Sequence, residues 1–340
     1  MEQINKQAQY LLKERLLKIQ VVALANSRNT YINEQGIDLA AWRQAVDKPG
    51  DGSNMKAFID EVAALNLPHA VFVDCTSSAD VIGYYTDILS HSISIVTPNK
   101  LANSSNLANY HQLQQVAAKN RVQFLYETNV GAGLPVIGTL QGLKHSGDRI
   151  VKIEGVLSGT LSYIFNTFKG IAAFAEVVAQ AKEKGYTEPD PRDDLNGKDV
   201  ARKILILARE AGIGLEPDDV AVENILPQPC IDAPDVPTFF DELKKADAHF
   251  EALKTQAAEG GKALRFIASM EHGKARVGLQ AVGPEHPFYS LSGSDNIIAF
   301  TTERYRETPL VIKGPGAGAE VTAAGVFAEI ITIGNYLTSL

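Results

Sequence analysis

Ile19-Gln-Val-Val-Ala-Leu-Ala25 (IQVVALA) is a short, nearly continuous apolar run, and what precedes it decides the fold. Such a run suits a strand buried on both faces of a parallel sheet. Before it, Ile4 to Leu17 reads as an amphipathic helix, with Leu11, Leu12, Leu16 and Leu17 as its apolar stripe. After it, Val71 to Cys75 (VFVDC), Ile93 to Val96 (ISIV) and a run beginning at Phe124 and Leu125 repeat the pattern. Helices are expected between them, at about Lys56 to Leu65, Asp80 to Leu89 and Leu107 to Ala118. Strands alternating with crossover helices imply an α/β fold with a doubly wound, Rossmann-type parallel sheet. Such a domain ordinarily opens with a strand, then G-x-G-x-x-G, then a helix. This chain opens with the helix, so the run at Ile19 takes the place of a second strand. The expected sheet lacks its first strand and glycine loop, and Ile19 to Ala25 should have no neighbour on one side.

The middle of the chain reads differently. A strand is expected at Val151 to Leu157, followed by helices at about Leu161 to Lys169, Ala172 to Lys184 and Lys198 to Ala211. A Pro-rich connection (ILPQPCIDAPDVP) leads to one long helix from about Thr238 to Ala258. Strands return at Ala263 to Met270, Ala275 to Val282 and Ile297 to Thr301. The tail is a strand (PLVIK), a Gly-rich loop (GPGAG) and a helix from about Glu320 to Tyr336. This is an α+β domain inserted into the first.

At 340 residues the chain has room for about two domains of ~150 residues each. Its 32 basic and 40 acidic side chains give a net charge of −8, which argues against a nucleic-acid partner. No run of 18 apolar residues is present, so a membrane span is not expected. The charged residues Lys13, Glu14, Arg15 and Lys18 do not suit a secretory signal. Two distant cysteines, Cys75 and Cys230, fit a reducing cytoplasm rather than a disulfide scaffold.

Several segments carry chemistry. Asn26-Ser27-Arg28 ends the first run. This position holds Asp or Glu for a ribose 2′-hydroxyl, or a nearby Arg for a 2′-phosphate. Ser27 and Arg28 lean toward NADP over NAD, although on these residues alone a plain polar strand-to-helix loop is the simpler reading. Asp74-Cys75-Thr76-Ser77-Ser78 and Thr97-Pro98-Asn99-Lys100 follow two strand ends, where open α/β sheets bind ligands. Helix capping by Ser77 or Ser78 and a solvated lysine are the plainer readings. Cys75 reads as a small buried strand residue before it reads as a nucleophile.

Glu127-Thr-Asn-Val-Gly-Ala-Gly-Leu-Pro135 combines a carboxylate with glycines that turn carbonyls inward, either as a hinge or as an oxygen ring for a hard cation. Between Gly185 and Lys203 an acid-rich, Pro-punctuated approach enters a helix on which Asp199 and Lys203 share a face. Glu188, Asp194, Asp199 and Lys203 together suit an amino group and a proton donor. A capping cluster with a surface ion pair is the alternative. Gly314-Pro-Gly-Ala-Gly318 has too little chain after it to open a mononucleotide unit.

Taken together, DCTSS at Asp74, TPNK at Thr97, ETNVGAGLP at Glu127, LSGTLSYI at Leu157, GYTEPDPRDDLNGKDVARK at Gly185 and GPGAGAEVTAAGV at Gly314 resemble homoserine dehydrogenase, in the family order and over nearly the whole chain. The resemblance implies NAD(P)H-dependent reduction of aspartate 4-semialdehyde to homoserine, on the route to threonine and methionine. It makes Lys203 the general acid/base, and Glu188 and Asp199 the substrate ligands, with Asp194 nearby in the substrate-binding cluster. Thr76, Lys100 and Gly318 become cofactor contacts, and the hydroxyl of Ser77, from the reading of its loop, joins them. Glu127 with the carbonyls of Val130, Ala132 and Leu134 becomes a sodium site.

The resemblance also implies a dimer. The division it suggests is an NAD(P)-binding domain at 1–133, a catalytic and dimerisation domain at 134–313, and a segment at 314–340 returning to the first. The absent glycine loop, the ending at Leu340 without a regulatory extension, and the DCTSS and TPNK forms resemble the dehydrogenase half of a bifunctional aspartokinase–homoserine dehydrogenase. The chain is thus expected to begin inside the nucleotide domain. The competing expectation is an inactive fragment that keeps the substrate domain and dimer interface. A third is a semialdehyde dehydrogenase using Cys75.

Overall fold

The computed structural model describes residues 1–47 and 52–338. The chain forms two compact units: Met1–Ala102 with Ala108–Tyr126 and Thr322–Leu340, and Asn103–Leu107 with Glu127–Val321.

In the first unit, Ala23–Ala25 (β1) pairs antiparallel with Thr30–Ile32 (β2). Val71–Val73 (β3), Ser94–Val96 (β4) and Phe124–Leu125 (β5) form a separate parallel sheet in the order β3-β4-β5. The parallel α/β sheet is therefore present, and β1 is bonded to neither β3 nor β4. The run at Ile19 departs from expectation. Only its last three residues form a strand, and they pair with β2 instead of being buried on both faces. The cause is Asn26, whose Oδ1 accepts the amides of Arg28 and Asn29 at 2.8 Å each. That side chain closes a tight turn, as Asn does where the chain must reverse. Ser27 and Arg28 thus sit at the tip of a hairpin and not in a strand-to-helix loop.

β4 is buried throughout. Val326 and Ile333 of the last helix, Ala319–Thr338, pack on Val96 with Val71 and Leu125 around them. In the opening helix, Glu2–Arg15, Leu11 is buried but Leu12 and Leu16 are exposed, so the four-leucine stripe does not form one buried face. The helix stops short of the expected Leu17 because Leu16 turns left-handed, at φ 53°. Asp80 to Leu89 is also broken, into Ala79–Ile82 and Tyr85–Ser90. Gly83, a poor helix former, caps the first piece. Cys75 lies beyond β3 and is exposed, which corrects its reading as a buried strand residue.

The second unit is built on a six-stranded sheet. Its strands are Ile150–Val156 (β6), Val220–Val222 (β7), Ala263–Glu271 (β8), Lys274–Val282 (β9), Asp295–Thr302 (β10) and Leu310–Pro315 (β11). The order is β11-β10-β6-β8-β9-β7, antiparallel except for the β7–β9 pair. Helices Gly159–Thr167, Lys198–Glu210 and Asp247–Glu259 pack against β8.

The expected long helix from Thr238 is two helices, Val236–Lys245 and Asp247–Glu259. The bend at Ala246 lets Asp247 Oδ1 accept the Ala175 amide at 2.8 Å, while Phe250 stacks on Phe174 with ring centroids 3.8 Å apart. Within β8, Arg265 is 1% exposed. Its guanidinium donates to the carbonyls of Leu264, Phe288, Tyr289 and Leu291, and so ties down the β9–β10 connection. Burial pulls its pKa down from the usual arginine value.

Candidate active site

Lys203 is placed by its helix. Gly197 precedes Lys198–Glu210 in the left-handed region, at φ 72°, and a Cβ there would lie 2.9 Å from Phe266 Cζ. Asn196 Oδ1 accepts the Lys198 amide at 2.8 Å. These two residues fix where the helix starts. The apolar stripe Val200, Ile204 and Leu207 then buries one face and turns Asp199 and Lys203 along its border. Lys203 Nζ meets Asp199 Oδ2 at 2.8 Å and donates to the Leu157 carbonyl at 2.7 Å. The lysine side chain is 11% exposed and the aspartate 45%, so the ammonium is shielded while its counter-ion still faces water. Two of the three ammonium protons have partners among the described residues.

Asp194 forms the second half of the cluster. Its Oδ2 accepts the Glu188 amide at 2.8 Å, and its Oδ1 lies 3.0 Å from Thr160 Oγ1. The same hydroxyl reaches the Tyr186 carbonyl at 2.5 Å. Burial pushes the Asp194 pKa up, and the charges of Glu188 and Asp199 add to that. The Glu188 side chain is exposed. Asp190, in the same acid-rich run, is taken up by Arg192 at 2.6 Å and belongs to the frame. The helix and the acids were legible from spacing. Thr160, the Leu157 carbonyl and the Gly197 turn were not, because backbone carbonyls and a lone hydroxyl leave no charge pattern.

Asp194 gives a pH expectation. A carboxyl raised in the folded chain supports folding most below its unfolded pKa, and loses that support as pH rises through the folded one. An ammonium ligand needs it ionised. The affinity for such a ligand should therefore fall on acidification at a pH above the ordinary aspartate range, which a pH series of binding titrations checks.

Glu127 opens a short 3₁₀ turn, Glu127–Asn129, and Gly131 and Ala132 follow with φ of 81° and 53°. Its Oε1 accepts the amides of Val136 and Ile137 at 2.7 and 2.6 Å, and its Oε2 that of Gly138 at 2.7 Å. The carboxylate thus caps the helix Ile137–His145. The Leu134 carbonyl accepts the Val136 amide at 2.9 Å. Burial nonetheless raises the Glu127 pKa, with the nearby Glu210 charge adding to it. A Cβ on Gly138 would lie 2.8 Å from Glu127 Oε2. Gly138→Ala is therefore expected to lower stability by ~1–3 kcal/mol in a denaturant melt. Among the described residues, no group of three or more His, Cys, Asp or Glu side chains is arranged to hold a metal.

In the first unit, Asp74 organises the loops after β3 and β4. It is 2% exposed. It accepts the Thr76 amide at 2.7 Å, the Tyr85 hydroxyl at 2.6 Å and Asn99 Nδ2 at 3.2 Å. Burial and the Asp74 charge push the Tyr85 pKa far up. Thr76 Oγ1 accepts the Ser78 amide, and Ser78 caps the next helix. Thr76 and Ser77 are exposed, while Lys100 is half-buried at the end of the second loop. Ser27 and Arg28 are exposed on their turn. Gly318, at φ 118°, belongs to the second unit. Hydroxyls and a lysine beyond the carboxyl ends of parallel strands are chemistry that suits a nucleotide cofactor.

A parallel α/β unit with polar strand-end loops and an α+β unit holding a lysine among carboxylates together define a dehydrogenase-type protein. Residues 135–331 match the family model described as homoserine dehydrogenase, and residues 1–127 match its NAD-binding domain. The chain is 42% identical over 323 residues to homoserine dehydrogenase of Schizosaccharomyces pombe, covering 92% of this chain and 86% of that one. It is 44% identical over 340 residues to a chloroplastic bifunctional aspartokinase/homoserine dehydrogenase of Arabidopsis thaliana. That match covers 99% of this chain and 37% of the longer protein. A hyperthermophilic archaeal homoserine dehydrogenase in complex with NADPH superposes with TM-score 0.73 at 23% identity, over 98% of this chain and 92% of that one. The chain belongs to the homoserine dehydrogenase family. No described helix is long and apolar enough to cross a membrane.

Proposed function

We propose that this chain reduces aspartate 4-semialdehyde to homoserine with NADPH. The observation that carries the reading is the shielded Lys203 ammonium, held between Asp199 and the Leu157 carbonyl. The hydride for the aldehyde carbon would come from the nicotinamide cofactor when it is bound. Negative charge then grows on the aldehyde oxygen, and Lys203 Nζ passes it a proton. Asp199 keeps the lysine aimed, and shares with Asp194 and the Glu188 carboxylate the task of holding the substrate's amino group. Thr160 steadies Asp194 for that task.

Thr76, Ser77, Lys100 and Gly318 are our proposed cofactor contacts, and Ser27 and Arg28 the preference for a 2′-phosphate. The archaeal relative's NADPH complex supports the choice of cofactor. We place a sodium ion at Glu127 with the carbonyls of Val130, Ala132 and Leu134. Buried Glu210 adds its charge beside the half-buried Glu127 carboxylate, which suits a cation. Melting in sodium chloride should exceed melting in choline chloride of equal strength, and Glu127→Gln should remove the difference. A dimer through the sheet, and a place in threonine and methionine synthesis in the cytoplasm, complete the proposal. The exposed edge residue Val311 on β11 supports the dimer.

The function is tested by mixing the chain, NADPH and aspartate 4-semialdehyde and identifying the product. Homoserine formed in step with NADPH loss is expected. A folded chain without turnover would leave the inactive-fragment reading.

A further inference from the structure

Asn296 is fully buried near the start of β10, and neither its Oδ1 nor its Nδ2 has a partner among the described residues. Buried polar atoms without partners are rare, because each keeps its full desolvation cost. The last β10–β6 pair joins Ile297 to Val156. One position further, the register sets Asn296 opposite Leu157, whose carbonyl holds Lys203. Gly316 covers the amide so closely that a Cβ there would overlap Asn296 Nδ2 and Cγ. The next residue, Ala317, has its Cβ 3.8 Å from where a Cβ on Gly159 would be, at the start of the helix that carries Thr160. An orphan carboxamide, a glycine loop and the backbone anchor of Lys203 are therefore contiguous within the second unit.

We propose that Asn296 is a recognition residue whose carboxamide pairs with the carboxamide of the dihydronicotinamide ring when the Gly316–Gly318 loop shifts to admit it. The assignment rests on the reductase reading above. The chemistry of the orphan atoms selects the ligand group. A carboxylate accepts only, and would satisfy Nδ2 alone. An ammonium donates only, and would satisfy Oδ1 alone. A primary amide donates and accepts, and satisfies both in one two-bond pair. Glycines at 316 and 318, beyond the end of β11, leave the covering loop the backbone freedom to move off the amide.

The test compares dissociation constants of NADPH and its 3-acetylpyridine analogue, whose acetyl group accepts but cannot donate. Wild type and Asn296→Leu are titrated by fluorescence, and both are melted without ligand. Asn296→Ala is run in parallel in case the leucine methyls press on Gly316. Wild type should prefer NADPH by about tenfold, the worth of one buried hydrogen bond. The variants should bind the two cofactors alike, with NADPH weakened by about tenfold. At least one variant should melt no lower than wild type, because an unpaired amide has been removed. An unchanged preference in the variants, with NADPH binding intact, overturns the pairing alone. Loss of melting temperature in both variants makes Asn296 structural and also overturns it. Failure of wild type to bind NADPH overturns the cofactor reading, and this assignment with it.

Discussion

Lys203→Ala is expected to lower kcat by ~10²–10⁴-fold while leaving NADPH affinity nearly unchanged, the usual reach of a positioned general acid. The lysine sits one turn after Asp199, largely shielded from water, with its ammonium fixed by a carboxylate and a carbonyl. Its proton is therefore held where the forming alkoxide needs one. Removing it also leaves Asp199 without its cation, so some substrate affinity should go too, and KM should rise. Steady-state kinetics with a separate NADPH titration separates the two effects. Near-normal turnover in the variant would return the pair to a structural role worth no more than a surface i,i+4 contact.

Arg265→Met should cost ~3–5 kcal/mol of stability, a loss of the size reserved for broken buried networks. Four carbonyls, those of Leu264, Phe288, Tyr289 and Leu291, lie 2.7–3.2 Å from the guanidinium nitrogens. Methionine matches the stem but pairs with none of them, and each buried carbonyl left unpaired costs ~1–3 kcal/mol before relaxation. Denaturant melts of the two proteins measure the difference. A loss under ~1 kcal/mol would mean that water replaces the guanidinium at those carbonyls.

Arg265 also shows where the sequence is mute. In ALRFIASM a lone arginine between Leu264 and Phe266 reads as a residue facing water, yet the β9–β10 connection folds over it. The same limit hid the hairpin after Ile19. The apolar run signalled a strand, but the partner came from an Asn26 turn with no glycine to announce it. Patterns that repeat along one element were legible: the β8–β9 and β10–β11 strands, the final helix, and the Asp199–Lys203 spacing. Contacts made by backbone atoms across the fold were not. The Glu127 carboxylate, whose capping of the helix at Ile137 needs Gly138 bare of a side chain, belongs to that second group.

The most direct measurement follows NADPH absorbance with aspartate 4-semialdehyde for the wild-type chain and Lys203→Ala side by side, with homoserine quantified at the end. The expected result is one homoserine per NADPH consumed by wild type, and turnover at least about a hundredfold slower in the variant at equal cofactor occupancy. NADPH consumed at the same rate by both proteins, or by neither while both are folded, would contradict the role assigned to Lys203.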